Sequence, residues 1–130
     1  MPGLGKRSRE RLQTCTQELQ ELITEVSTRI EIAVLCGHRT EEDQEKAKEG
    51  GFSKVSWPNS KHNALPSNAV DISPYPLDWS NLDDFKEVYD VVMEVAKEKG
   101  LRIRAGADFD MDGDLTNNRF QDWPHYELID

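Results

Sequence analysis

SNLDDFKEVYDVVMEVAKEKGLRIRA, Ser80–Ala105, is the stretch that decides the class of fold. Leu82, Phe85, Val88, Val92, Val95 and Ala96 recur at helical spacing and form one apolar stripe. Ser80 or Asn81 supplies the N-cap, and Gly100 stops the helix. Leu101–Ala105 then reads as a short strand. Upstream, Leu12, Cys15, Leu19, Leu22, Ile23 and Val26 predict another amphipathic helix over about 8–28, after a loose arm at 1–7. Ile30–Cys36 (IEIAVLC) is a β-rich run closed by Gly37. Thr40, followed by Glu41, Glu42 and Asp43, caps a short polar helix that stops at Gly50–Gly51. Residues 51–67 are rich in Ser, Asn, Pro and Gly and read as a loop. Asn68–Ile72 and His125–Leu128 are two further short strands. Helices and strands alternate irregularly over short links. The expected fold is α+β, a small, mainly antiparallel sheet packed with two principal helices.

The chain has 130 residues, which suits a single domain. Its 25 acidic residues outweigh 16 basic ones, for a net charge of -9. That balance disfavours nucleic-acid binding, which needs a basic face against phosphate. No apolar run approaches the ~20 residues of a membrane span, so no membrane insertion is expected. The start, MPGLGKRSRERLQ, is basic but lacks the apolar stretch of a signal peptide. Cys15 and Cys36, the only two cysteines, support neither a disulfide scaffold nor a thiolate metal site and read as reduced, buried residues.

Two constellations bear chemistry. His62 lies nine positions before Asp71, and Asp122 lies three before His125. Imidazoles and carboxylates are zinc ligands, and a catalytic zinc keeps three of them plus water. A nearby carboxylate can take the proton from that water. The same residues also read as ordinary hydrogen-bonding groups, and spacing alone leaves both readings open. The second constellation is acidic. Residues 106–130 hold seven acids against Arg119 alone. Asp108, Asp110, Asp112 and Gly113 match the first half of an EF-hand loop, with Asp114 beside them. Arg119 stands where the bidentate Glu belongs, which excludes a standard EF-hand. A calcium site completed from elsewhere and a solvated acidic loop are the two readings.

SKHNALPSNAVDI (Ser60–Ile72), QDWPHYEL (Gln121–Leu128) and CGHRTEEDQ (Cys36–Gln44) together resemble the D-alanyl-D-alanine carboxypeptidase-like zinc peptidases. The likeness is strongest to small phage endolysins acting as L-alanyl-D-glutamate peptidases. The resemblance implies that His62, Asp71 and His125 bind zinc, that Asp122 is the general base, and that Arg39 binds substrate and stabilises the oxyanion. It implies hydrolysis of the L-alanyl-D-glutamate bond in the stem peptide of bacterial peptidoglycan, causing host lysis. It also implies a monomer held in the host cytoplasm until a holin opens the inner membrane, with calcium as a regulator of some relatives. Trimming of terminal D-alanine by a D,D-carboxypeptidase is the rival activity. A non-catalytic calcium-binding interaction module is the rival of another class. The likeness departs from the commoner motif in three places. His62 and Asp71 are nine apart rather than seven, His38 stands where an aromatic is usual and competes as a ligand, and AGADFD (Ala105–Asp110) replaces a Trp- and Gly-rich segment. Trp57, Trp79 and Trp123 read as packing residues, EEDQEKAKE as an exposed helix face, and Gln44 as a pocket residue by analogy.

Overall fold

A computed structural model describes residues 4–51, 57, 61–106 and 123–129. Asp108, Asp110, Asp112, Asp114 and Asp122 lie outside the described residues, and with them the acidic loop and the candidate base. In chain order the elements are α1 (Lys6–Leu12), α2 (Gln17–Arg29), β1 (Ile32–Cys36), α3 (Glu41–Glu49), a 3-10 turn (Lys61–Asn63), β2 (Ala69–Pro74), α4 (Leu82–Lys99), β3 (Ile103–Ala105) and β4 (His125–Leu128). The four strands form one sheet in the order β1-β2-β4-β3. Every neighbouring pair is antiparallel. The α+β architecture is as the sequence predicts.

The helix expected over 8–28 is two helices. α1 ends at Leu12, and Thr16 opens α2, its hydroxyl accepting from Leu19 N–H. Between them the chain runs beside Ser67: Ser67 N–H donates to Thr14 O at 2.7 Å and Thr16 N–H donates to Ser67 O at 3.0 Å. The apolar spacing hides this break because Leu12, Cys15 and Leu19 are buried on both sides of it. Lys6 and Arg7, read as part of an arm, form the first turn of α1. That helix covers the sheet's edge. Ser8 Oγ accepts from Val34 N–H at 2.9 Å, and Arg11 donates to Val34 O at 3.0 Å. Edge groups that would otherwise template another strand are thereby paired.

The long helix follows its sequence closely. Asn81 caps it, its side chain accepting from Asp84 N–H, and Gly100 ends it in the left-handed region at φ 70°. Asp83 and Asp84 in the first turn and Lys97 and Lys99 in the last suit the helix dipole. Apart from Leu82, which is 45% exposed, its stripe is buried and packs against α2 and the sheet. Leu19, Leu22, Ile23, Val26, Val88, Val92, Val95, Val34, Val70, Ile72 and Tyr126 are no more than 1% exposed. Each such side chain contributes roughly 1.5–3 kcal/mol by leaving water. Because strand side chains alternate, burying Val70, Ile72 and Tyr126 under the helices sends Asp71, His125 and Glu127 to the opposite face. The core thus decides which face carries the chemistry.

Smaller expectations are adjusted. Cys15 is buried, but Cys36 is partly exposed; both are free thiols. Trp79 is 64% exposed and stacks on Phe85 with ring centroids 5.5 Å apart, so it covers the core from outside rather than packing within it. Trp123 meets Tyr89 edge to face.

Candidate metal centre

Asp71 sits in the middle of the site because β2 is an inner strand. Cys36 of β1 is its partner on one side and His125 of β4 on the other. His62 arrives from the 3-10 turn, which is tied to the chain after β1: Arg39 N–H donates to His62 O at 2.7 Å. The imidazole is then aimed by its own hydrogen bond. A carbonyl can only accept, so His62 Nδ1–H donates to Gly37 O at 2.7 Å and Nε2 faces inward. His125 is oriented the opposite way round. Its Nε2–H donates to the Glu127 carboxylate at 2.7 Å, which leaves Nδ1 facing inward.

Three atoms converge as a result. Asp71 Oδ1 is 3.1 Å from His62 Nε2 and 3.2 Å from His125 Nδ1, and the two ring nitrogens are 3.2 Å apart. A tetrahedral zinc with bonds of about 2.0–2.1 Å has ligand-to-ligand edges of about 3.3 Å. The triangle therefore fits three corners of such a site, with the donor types zinc prefers. His62, Asp71 and His125 are the one group of metal-ligating side chains among the described residues, and His38 is outside it.

The electrostatics fit the same reading. Burial pulls His62 and His125 toward the neutral form, but hydrogen bonds to Asp71 outweigh it and push them up to about 10 and about 9. Burial of Asp71 opposes its ionisation, yet the two histidines hold it well below the usual carboxylate range. Both rings are thus pushed toward the protonated form against one carboxylate, where a divalent cation could take the place of protons.

Arg39 lies beside this triangle. Its Nη2 is 3.4 Å from Asp71 Oδ2, and its Nη1 donates to Gln44 Oε1 at 3.0 Å. Gln44 is fully buried and also accepts from Asn63 at 3.2 Å. The polar run of α3 is therefore not uniformly exposed. One turn after its Thr40 cap it turns Gln44 inward, and no apolar stripe in the sequence signals that. Asn63, next to His62 in the chain, gives the sequence no signal either. It braces the arginine's backbone as well, donating to Arg39 O at 3.2 Å. Glu127 is buried behind His125, and its second oxygen accepts from Arg104 at 2.7 Å.

Similarity to known proteins gives the family. Residues 3–129 match the family model described as phage L-alanyl-D-glutamate peptidase. The L-alanyl-D-glutamate peptidase of Escherichia phage T5 is 30% identical, with 96% of each chain covered. The crystal structure of the Serratia marcescens L-Ala D-Glu endopeptidase ChiX superposes with a TM-score of 0.74 at 23% identity, covering 95% of this chain and 87% of that one, which bears on the fold. The chain belongs to the phage L-alanyl-D-glutamate peptidase family.

Proposed function

We propose that this protein is a zinc-dependent endolysin that hydrolyses the L-alanyl-D-glutamate bond of the peptidoglycan stem peptide. The observation that carries the reading is the triangle of His62 Nε2, Asp71 Oδ1 and His125 Nδ1, with edges of 3.1–3.2 Å, in a chain of this family. These three residues would hold the ion. Zinc bound there would supply polarisation of the scissile carbonyl and a more acidic water. Arg39, held beside the centre by its hydrogen bonds to Gln44 and Asp71, would stabilise the charge that develops on the carbonyl oxygen. Glu127 is engaged by His125 and Arg104, which favours Asp122 as the acceptor of the water's proton and its donor to the leaving amine. The cell-wall substrate would be reached from the host cytoplasm after a holin opens the inner membrane. Among the described residues, no helix is long and apolar enough to cross a membrane.

Digestion of purified peptidoglycan with the zinc-loaded protein tests the reading. New L-alanine carboxyl and D-glutamate amino termini are expected. Release of D-alanine alone would make the chain a D,D-carboxypeptidase, and no new termini would leave a non-catalytic module. Calcium, proposed to bind Asp108, Asp110, Asp112 and Asp114, is tested by titration of the protein and of the Asp110→Ala, Asp112→Ala double variant. Calcium heat and a thermal shift lost in the variant would support the site. Neither response at millimolar calcium would leave a solvated acidic loop.

A further inference from the structure

We propose that Glu127, clamped by Arg104, is a positioning residue for His125, setting which ring nitrogen the histidine presents to the metal. The two histidines of the centre are turned in opposite senses: His62 presents Nε2 and His125 presents Nδ1. For His62 the orienting group is the Gly37 carbonyl, fixed by the backbone. For His125 it is a side chain, and a side chain needs a support of its own. β4 places Glu127 two residues after His125 and on the same face of the strand. Arg104 of β3 stands directly opposite Glu127 in the antiparallel register. One carboxylate oxygen takes the His125 Nε2–H at 2.7 Å and the other takes the Arg104 guanidinium at 2.7 Å. Both carboxylate oxygens of a residue only 4% exposed are thus engaged, and the group's rotation is blocked.

The arrangement has a chemical consequence. With its Nε2–H committed to Glu127, a neutral His125 keeps its lone pair on Nδ1, the atom 3.2 Å from both Asp71 Oδ1 and His62 Nε2. Without Glu127 the Nε2–H loses this acceptor, the preference for one ring orientation and tautomer weakens, and the third corner of the triangle is lost for part of the time. In a purely structural role, Glu127 and Arg104 would form an ion pair that staples β3 to β4 and does nothing to the metal.

The role rests on the metal reading of the site, and its test separates the two. Zinc affinity is measured by competition with a chromophoric chelator for wild type, Glu127→Ala, Glu127→Met and Glu127→Gln. The visible spectrum of the cobalt form and the melting temperature of each metal-free form accompany it. Met keeps the volume without an acceptor, whereas Gln keeps an oxygen that Nε2–H can reach but forms no ion pair. Positioning predicts a loss of about 10- to 100-fold for Ala and Met with a changed cobalt spectrum. It also predicts recovery of most affinity by Gln even where Gln melts as low as Met. Should Glu127→Ala fail to fold, the Met and Gln pair decides alone. Wild-type affinity in Glu127→Met, or an affinity in Gln as poor as in Met, would reduce Glu127 to a strand staple. No zinc on the wild-type protein would overturn the metal reading and this role with it.

Discussion

Asp71 and His125 face each other across β2 and β4, and their facing atoms, Oδ1 and Nδ1, are 3.2 Å apart. His62 closes the triangle from a separate turn. Since three protein ligands are the usual minimum for a catalytic zinc, His62→Ala or His125→Ala is expected to lose zinc and activity together, while His38→Ala keeps both. Metal analysis of the purified variants checks this. A full zinc complement in either of the first two would remove that histidine from the site.

Arg39 should matter to turnover and not to metal content. A lysine keeps the charge but cannot reach Gln44 and Asp71 with one planar fork. Arg39→Lys is expected to lower kcat by about 100- to 1,000-fold, the usual effect of removing an oxyanion donor. Steady-state kinetics on a stem-peptide substrate, with zinc content measured beside it, read the result. Unchanged kcat would place the guanidinium outside the reaction.

Gly37 is a glycine for reasons of space. A Cβ there would collide with Thr14 Oγ1 and the Arg11 carbonyl, and its own carbonyl aims His62. Gly37→Ala should therefore cost about 1–3 kcal/mol of stability and weaken zinc binding as His62 shifts. Urea unfolding and chelator competition on the same preparation measure the two effects. Loss of stability with zinc affinity intact would show that the turn can move without the imidazole.

His62, Asp71 and His125 are expected to set the pH dependence of the metal-free centre. His62 and His125 are raised from 6.5 to about 10 and about 9, so their contribution is full below pH 6.5 and vanishes as pH rises through those values. Asp71 is lowered from 3.8, so its contribution is full above that value and is lost as pH falls through the depressed one. Between pH 6.5 and 10 the metal-free melting temperature should fall. Zinc competes with the same protons, so the stabilisation it confers should grow over that range. Scanning calorimetry with chelator and with zinc compares the two curves; a metal-free curve that stays flat would argue against cationic histidines on Asp71.

Asp122, the proposed base, should be separable from the ligands. Asp122→Ala is expected to retain zinc and lose about 100- to 10,000-fold in rate, the ordinary value of general-base assistance. Loss of the metal would make it a ligand, and full activity would send the search for the base elsewhere.

Much of this protein is determined by local sequence. Asn81 and Gly100 bound α4 because a side-chain acceptor and a left-handed residue act within one turn of chain. The identities of His62, Asp71 and His125 as candidate ligands are likewise written in short motifs. What lies beyond a turn's reach is not. The break between α1 and α2 depends on Ser67, more than fifty residues away, while the apolar spacing runs straight across it. Gln44 is buried where Arg39 and Asn63 meet it from outside its helix. Nothing local in the sequence gives Glu127 its place until β4 sets it behind His125 and β3 brings Arg104 against it. Residue types and spacing determine which groups are able to bind a metal. Which nitrogen each histidine offers, and what holds it there, depends on hydrogen bonds between distant segments, and only the packed sheet decides those.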